Sequence, residues 1–348
     1  MAEALRKTPA TGLSELLAAL HDTPAMRAKQ AIQRPAQGLS GSLPQGDARY
    51  ALPGDDTAAI RCGEHYQLLA IEGMLPAFVE SSPWFAGWSA VMANVSDIAA
   101  MGGRPTAVVN AYWHHDEDKA EQLLQGIREA CQAYGLLLAG GHTHQGADAR
   151  AGLAVAITGI AHRLLSTLHV APGQVLAMAA DLDGRWHPGV PYWKAFEKRS
   201  GERLRSQLDV LPRLAEGGLL AAAKDISNAG LLGTLLMLLE PTGCGARLEL
   251  DGLPCPDDGD LLRWLQAFPS YGFLLTLEES AWADVHTAFA LEGLTCARIG
   301  QIDDSASLQV GVGGEVMEFW NLGQRPFTGF TQSTLSLIHI SEPTRQEA

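Results

Sequence analysis

Paired cysteines are missing from this 348-residue sequence: Cys62, Cys131, Cys244, Cys255 and Cys296 are scattered, odd in number and without a C-x-x-C spacing. Such a set reads as reduced thiols, not as a disulfide framework or a zinc site. Positive charge is also scarce. Against 39 Asp and Glu stand 25 Lys and Arg, for a net charge of −14. That is the wrong sign for nucleic acid or an anionic membrane as main partner. It leaves phosphate ligands open, because metal ions and backbone amides can carry phosphates at an acidic site. No apolar run reaches spanning length, and MAEALRKTPATG lacks the apolar stretch of a signal peptide. A soluble, cytoplasmic protein is expected. Neither G-x-x-x-x-G-K-[ST] nor a G-x-G-x-x-G between strand and helix occurs, which removes support for P-loop and Rossmann readings. Nucleotide phosphates would then have to rest on metal ions and backbone donors.

What is present is a globular composition, 47% hydrophobic and 18% charged, with length enough for two domains. Residues 1–48 carry a short helical pattern (Leu13, Leu16, Leu17, Leu20) and then a Pro/Gly/Ser-rich stretch over 34–46 that reads as a loop. A first α/β unit is expected over 49–165, with strands at 65–72, 106–113, 136–139 and 152–161. Its helices fall at 86–101 and 116–134, and a glycine-rich turn at 140–146 separates the last two strands. Trp88, Val91, Val95 and Ile98 form the stripe of the first helix, which Gly102, Gly103 and Pro105 stop. Pro172-Gly173 opens a second α/β unit over 166–332. It has strands near 175–180, 246–250, 272–277 and 296–302, and helices near 212–223, 229–240, 258–267 and 280–291. The fold class is α/β (α+β), two domains in tandem. The tail 333–348 follows no fold pattern, resembles an in-frame translation of a sequencing adapter, and is set aside as non-native.

Acidic residues in apolar surroundings are the chemical signal, since a buried carboxylate needs a positive partner. Asp55 and Asp56 follow Pro53-Gly54. They read as a solvated turn, or as ligands for one or two ions. Asn94 and Asp97 share a stripe on a helix apolar on most sides. Each needs a buried partner: a cap, an ion pair with Arg104, or a metal or nucleotide. Glu72 ends a strand, where open α/β sheets place ligands and where an exposed glutamate is equally ordinary. Gly140-Gly141-His142-Thr143 reads as a flexible turn or as an amide cradle for an anion. His142 and His144 are a weak metal pair, and His114-His115 has no third ligand in sequence. Lys224-Asp225-Ile226-Ser227-Asn228-Ala229-Gly230 opens a helix with Ser227 or Asn228 as N-cap, and Asp225 faces a phosphate or metal in the second reading.

In this order, Gly54-Asp55-Asp56-Thr57-Ala58, Asn94 to Gly102, Arg104-Pro105, Gly140 to Thr143 and Lys224 to Gly230 resemble the aminoimidazole ribonucleotide (AIR) synthase superfamily. It includes selenophosphate synthetase, thiamine-monophosphate kinase, a hydrogenase maturation protein and formylglycinamidine ribonucleotide synthase. The resemblance implies an N-terminal α/β domain that dimerises by joining sheets into a barrel, and a C-terminal α/β domain. It implies ATP and Mg²⁺ in a cleft near the dimer interface, with phosphoryl transfer to a small-molecule substrate. Asp55, Asp56, Glu72 and Asp97 would be metal-site residues. Asn94, Gly140, Gly141, His142, Thr143, Lys29 and Asp225 would contact the nucleotide. The sequence departs from the kinase-type members at Glu72 and His142, where they carry aspartate, and at Asn228, where many relatives do. The expected activity is an ATP- and Mg²⁺-dependent phosphotransferase or ligase, the alternative a nucleotide-binding sensor or scaffold without turnover.

Overall fold

Two burial patterns along the strands build the two sheets of the computed structural model, which describes residues 12–40, 54–146, 150–256 and 260–331. The tail 333–348 lies outside these residues. Three helices come first: α1 (Leu13–His21), α2 (Pro24–Gln30) and α3 (Gln33–Ser40). Leu13, Leu16, Leu17 and Leu20 bury one face of α1 against the C-terminal unit. Thr23 caps α2 by accepting the Met26 N–H at 3.2 Å, with Pro24 at the first position. Part of the stretch read as a loop is thus helical in α3. Pro35 falls in its first turn, where a missing N–H costs nothing.

The N-terminal sheet has the order β1-β2-β5-β3-β4. Its strands are β1 (Ala58–Cys62), β2 (His65–Met74), β3 (Arg104–His114), β4 (Leu137–Gln145) and β5 (Gly152–Ala161). The helices are α4 (Pro76–Ser81), α5 (Pro83–Ala100) and α6 (Glu117–Tyr134). Leu68, Val108, Tyr112, Leu153, Val155 and Ile157 turn inward onto α5 and α6. Those two helices meet backbone to backbone: a Cβ at Gly87 would lie 2.1 Å from the Leu123 carbonyl, and one at Gly126 2.0 Å from that of Trp84. The other sheet face is bare. Cross-strand rows Leu69–Thr158–Ala107–Leu137 and Ile71–Ala156–Val109–Gly140 run across it, and Leu69, Ile71, Val109, Trp113 and Leu137 are exposed there.

Residues 140–143, expected in a turn, lie inside β4. Its parallel ladder with β3 pairs Val108 with Leu138 and then Val109 with Gly140, leaving Ala139 over. The glycines serve this bulge: Gly140 takes φ +152°, and a Cβ at Gly141 would lie 2.5 Å from the Asn110 carbonyl.

The C-terminal sheet runs β12-β11-β8-β10-β6-β9-β7. In chain order its elements are β6 (Val175–Ala180), α7 (Gly201–Leu208), α8 (Val210–Glu216), β7 (Ala222–Asp225), α9 (Gly230–Leu239) and β8 (Gly245–Glu249). Then come α10 (Leu261–Leu265), β9 (Gly272–Leu277), α11 (Trp282–Leu291), β10 (Thr295–Asp303), β11 (Ser307–Val312) and β12 (Glu315–Asn321). β6 and β9 are buried throughout because helices cover both faces. Val175, Ala177 and Ala179 face α8 and α11, while Leu176, Met178 and Ala180 face α1 and α9. The segment at 222–223, expected to be helical, is the start of β7: α8 ends ahead of Gly217-Gly218, the latter at φ +71°. The units are joined where Ala99 and Ala100 of α5 enter the α8 core and Arg104 reaches Asp209 at 2.7 Å and Glu216 at 2.5 Å. No described helix is long and apolar enough to cross a membrane.

Candidate active site

The cleft between the units collects the acidic residues, and it does so selectively. Gly54, at φ +115° and close against Phe330, turns the chain so that Asp55 and Asp56 diverge. Asp55 is fully committed. One oxygen accepts the Ser166 hydroxyl at 2.6 Å, the other the N–H and hydroxyl of Thr167, each at 2.7 Å. Burial raises its pKa, and those hydrogen bonds and Lys224 pull it back. Asp55 therefore anchors the turn to the 166–167 corner and lines the same cavity, outside the group of three converging aspartates.

Asp56 takes the other direction. Its oxygens accept the Lys224 ammonium and, at 3.2 Å, the Asp225 N–H. Asp56, Asp97 and Asp225 bring ligand oxygens within 4.8 Å of one another. Asp97 arrives on α5, where Ser89, Ala93 and Asp97 recur every four residues along one cavity-lining face. The Arg104 guanidinium goes to Asp209 and Glu216, so the ion pair considered for Asp97 does not form. Burial, with Asp225, Glu72 and Asp56 adding repulsion, holds the Asp97 pKa well above the usual carboxylate range. Burial and Asp56 push Asp225 to about 8, against the pull of Lys224. Glu72, on β2, is raised by burial and Asp56 and lowered by Lys29 across the cavity.

Other expected contacts lie elsewhere. Asn94 is fully buried, and its Nδ2 donates to the Ala90 carbonyl at 2.7 Å and the Val155 carbonyl at 2.9 Å. It bolts α5 to β5 and does not line the cavity. Gly140, Gly141, His142 and Thr143 are exposed on β4, away from it. For the helix at 230, neither Ser227 nor Asn228 is the N-cap; Ala229 is, without a side-chain cap bond. Ser227 and Asn228 instead line the cavity. Glu80, His114 and His115 also converge, yet they suit no cation. His114 Nδ1 accepts the Asp116 N–H at 3.0 Å, which leaves the proton of the neutral ring on Nε2, and Lys119 already neutralises Glu80.

The cavity encloses about 480 Å³. Sequence reasoning missed several of its walls. Lys224 was visible only as a neighbour of Asp225. Tyr192, Phe268, Thr328 and Phe330 gave no signal. Thr328 and the turn leading to Phe330 are held by Glu240, 2% exposed, which accepts the N–H groups of Phe327 and Thr328 at 2.7 Å and of Gly329 at 3.0 Å. Gln33 of α3 donates to the carbonyls of Pro326 and Phe327 at 2.9 and 3.1 Å, tying this strap to the N-terminal helices. Ser89 Oγ is buried without a hydrogen-bond partner on the cavity wall.

A two-domain α/β protein with a carboxylate-lined cleft between its domains is thereby defined. The chain belongs to the AIR synthase-related family: residues 54–161 match its N-terminal domain and 173–313 its C-terminal domain. An uncharacterized protein of Synechocystis sp. is 42% identical over 323 residues, covering 92% of this chain and 99% of that protein. The selenide, water dikinase of Aeromonas hydrophila is 26% identical over 294 residues, covering 71% of this chain and 83% of that protein. Thermotoga maritima PurL in complex with ADP shares the fold, with a TM-score of 0.71 at 16% identity over 89% of this chain and 52% of that one.

The donor set fits magnesium. It offers only carboxylate oxygens, the hard ligands that Mg²⁺ prefers, and no sulfur or histidine. Two of the three aspartates are buried with raised pKa values, which marks a cation deficit that a divalent ion would fill.

Proposed function

We propose that this chain is an ATP- and Mg²⁺-dependent phosphotransferase or synthetase that activates a small acceptor through a phosphorylated intermediate. The observation that carries the reading is the convergence of Asp56, Asp97 and Asp225 in one cleft beside Lys224 and Lys29. Asp56, Asp97 and Asp225 would hold the metal, with Glu72 near; bound there, Mg²⁺ neutralises and orients the transferred phosphates. Kinship with a dikinase supports the same class.

The chain's own residues supply position and charge. Lys224, 4% exposed and locked on Asp56, fixes that carboxylate's orientation. Lys29, reaching in from α2, places a positive charge opposite Glu72, where a γ-phosphate gains a Coulombic partner. Ser227 and Asn228, just ahead of the α9 N-cap Ala229, line the cavity, so the helix begins at its wall, where its positive dipole end favours an anion. Phe330 of the strap and Tyr192 supply apolar side walls. The bare face of the N-terminal sheet, with its exposed Ile71 and Trp113, is read as the surface that pairs with a second copy.

Thermal stabilisation by Mg-ATP, with neither Mg²⁺ nor ATP-EDTA matching it, is the expected result. ADP release on addition of an acceptor panel then separates turnover from mere binding. A melting curve unmoved by Mg-ATP overturns the reading.

A further inference from the structure

Beside the charged cavity lies a second chamber of about 380 Å³ with a different chemistry. No Asp, Glu, Lys, Arg or His lines it among the described residues. Its walls are Leu20, Pro24, Ala25, Met26 and Ala28 from α1, α2 and their junction, faced by Tyr192, Leu232, Phe268 and Phe319. The two chambers share Leu75, Tyr192, Asn228 and Phe268, so they adjoin across one partition. Its polar groups are largely spent: Thr23 caps α2, and Gln266 Nε2 donates to the Leu262 carbonyl at 3.1 Å. Asn228 remains on the partition.

The chamber wall next to Asn228 also stores backbone strain. Ala229 is held at φ +124°, a region an L residue rarely adopts, and its methyl is placed so that any Cβ at Gly233 would meet it at 2.4 Å. Such strain persists where surrounding structure over-determines it, often at ligand clamps.

We propose that this chamber holds an uncharged, flat ring of the acceptor, whose reactive group crosses the partition into the carboxylate cavity; the assignment rests on the phosphotransferase reading. Volume and lining suit an aromatic body, while the absence of charge excludes a phosphate or carboxylate inside it. The nucleobase of ATP is the rival occupant. The carboxylates proposed to hold the metal, Asp56, Asp97 and Asp225, lie on the segments that match the family, 54–161 and 173–313. This chamber takes one wall from residues 20–28 and another from Phe319, outside those spans. Acceptors differ among relatives, and a wall from unshared segments is where such a difference can be built.

The test uses the full chain with indole as probe, titrated by ligand-observed NMR without nucleotide, and Mg-ATP by thermal shift. Ala28→Trp and Ala25→Phe fill the chamber from α2, Ala28 being an exposed position that leaves the buried Met26 in place. Indole binding should weaken about tenfold or more in both variants, with the Mg-ATP shift unchanged. Indole that fails to bind the wild type, or binds the variants equally well, overturns the proposal. So does displacement of indole by adenosine, which would make the chamber a nucleobase site. A wild type unmoved by Mg-ATP sinks the phosphotransferase reading and the acceptor assignment with it, and indole binding then reports the chamber separately.

Discussion

The Lys224 ammonium donates to Oδ1 of Asp56 with both side chains under a tenth exposed, and so ties the turn before β1 to the end of β7. The pair spans the domain boundary, and Asp225 adds its N–H to the other Asp56 oxygen. A buried pair of this kind contributes little over apolar isosteres, but removing one partner leaves a bare charge. In this cleft the bare charge would join Asp97 and Asp225, which are already penalised.

Lys224→Met should therefore destabilise the protein by about 3–5 kcal/mol, read from urea denaturation. Combining it with Asp56→Asn should restore part of the loss, the coupling a double-mutant cycle isolates. Additive losses would mean that the pair carries no mutual stabilisation.

Asp97→Asn separates folding from ligand binding. Burial and its acidic neighbours already hold Asp97 toward its neutral form, so an amide of equal size costs the metal-free protein nothing. Its melting temperature in EDTA should equal or exceed that of the wild type, and the Mg-ATP shift should vanish. A retained shift would remove Asp97 from the metal site.

Asp225, at about 8, sets a pH dependence whose sign is fixed. A group whose folded pKa is raised above its unfolded value, roughly 3.9 for aspartate, holds more protons folded than unfolded in between. Stability therefore falls as pH rises through that interval. His187, lowered by burial and Lys194, works in the opposite direction, but its window lies below its ordinary value. In EDTA the melting temperature should drop between about pH 6.5 and 8 and level off above that, and Mg²⁺ should shrink the drop. A flat EDTA profile would mean that Asp225 is not raised.

Apolar runs such as VLAMAA and GFLLTL made β6 and β9 legible, and the Trp88–Ile98 stripe made α5 legible, because burial on two faces or one leaves a pattern in residue type. Gly140-Gly141 misled for a physical reason: a bulge and a turn make the same demand on the backbone, and the long-range ladder with β3 decides between them. Asp55 and Asp56 are indistinguishable locally. Only Ser166, Thr167 and Lys224, more than 100 residues away in sequence, tie one to a structural corner of the cavity and turn the other toward Asp97 and Asp225. The Glu240 latch on residues 327–329 is likewise a tertiary fact, since nothing near Glu240 in sequence announces four donors arriving from another segment.

Ile71 offers a test of assembly that leaves the cleft intact. It is 69% exposed at the middle of β2, in a row with Ala156 and Val109, on the sheet face opposite the α5 core. Leu69 and Leu137 extend the apolar surface along the neighbouring row. A monomer gains nothing from so much exposed apolar side chain on one sheet face, whereas pairing with a second copy buries each residue twice over. Ile71→Arg should leave the monomer's unfolding free energy within about 0.5 kcal/mol of the wild type, because the site is at the surface. In an assembled protein it should convert dimer to monomer by sedimentation, since an unpaired guanidinium would be buried at the centre of the contact. A wild type that sediments as a monomer at micromolar concentration, or a variant that stays dimeric, would move the interface away from this sheet.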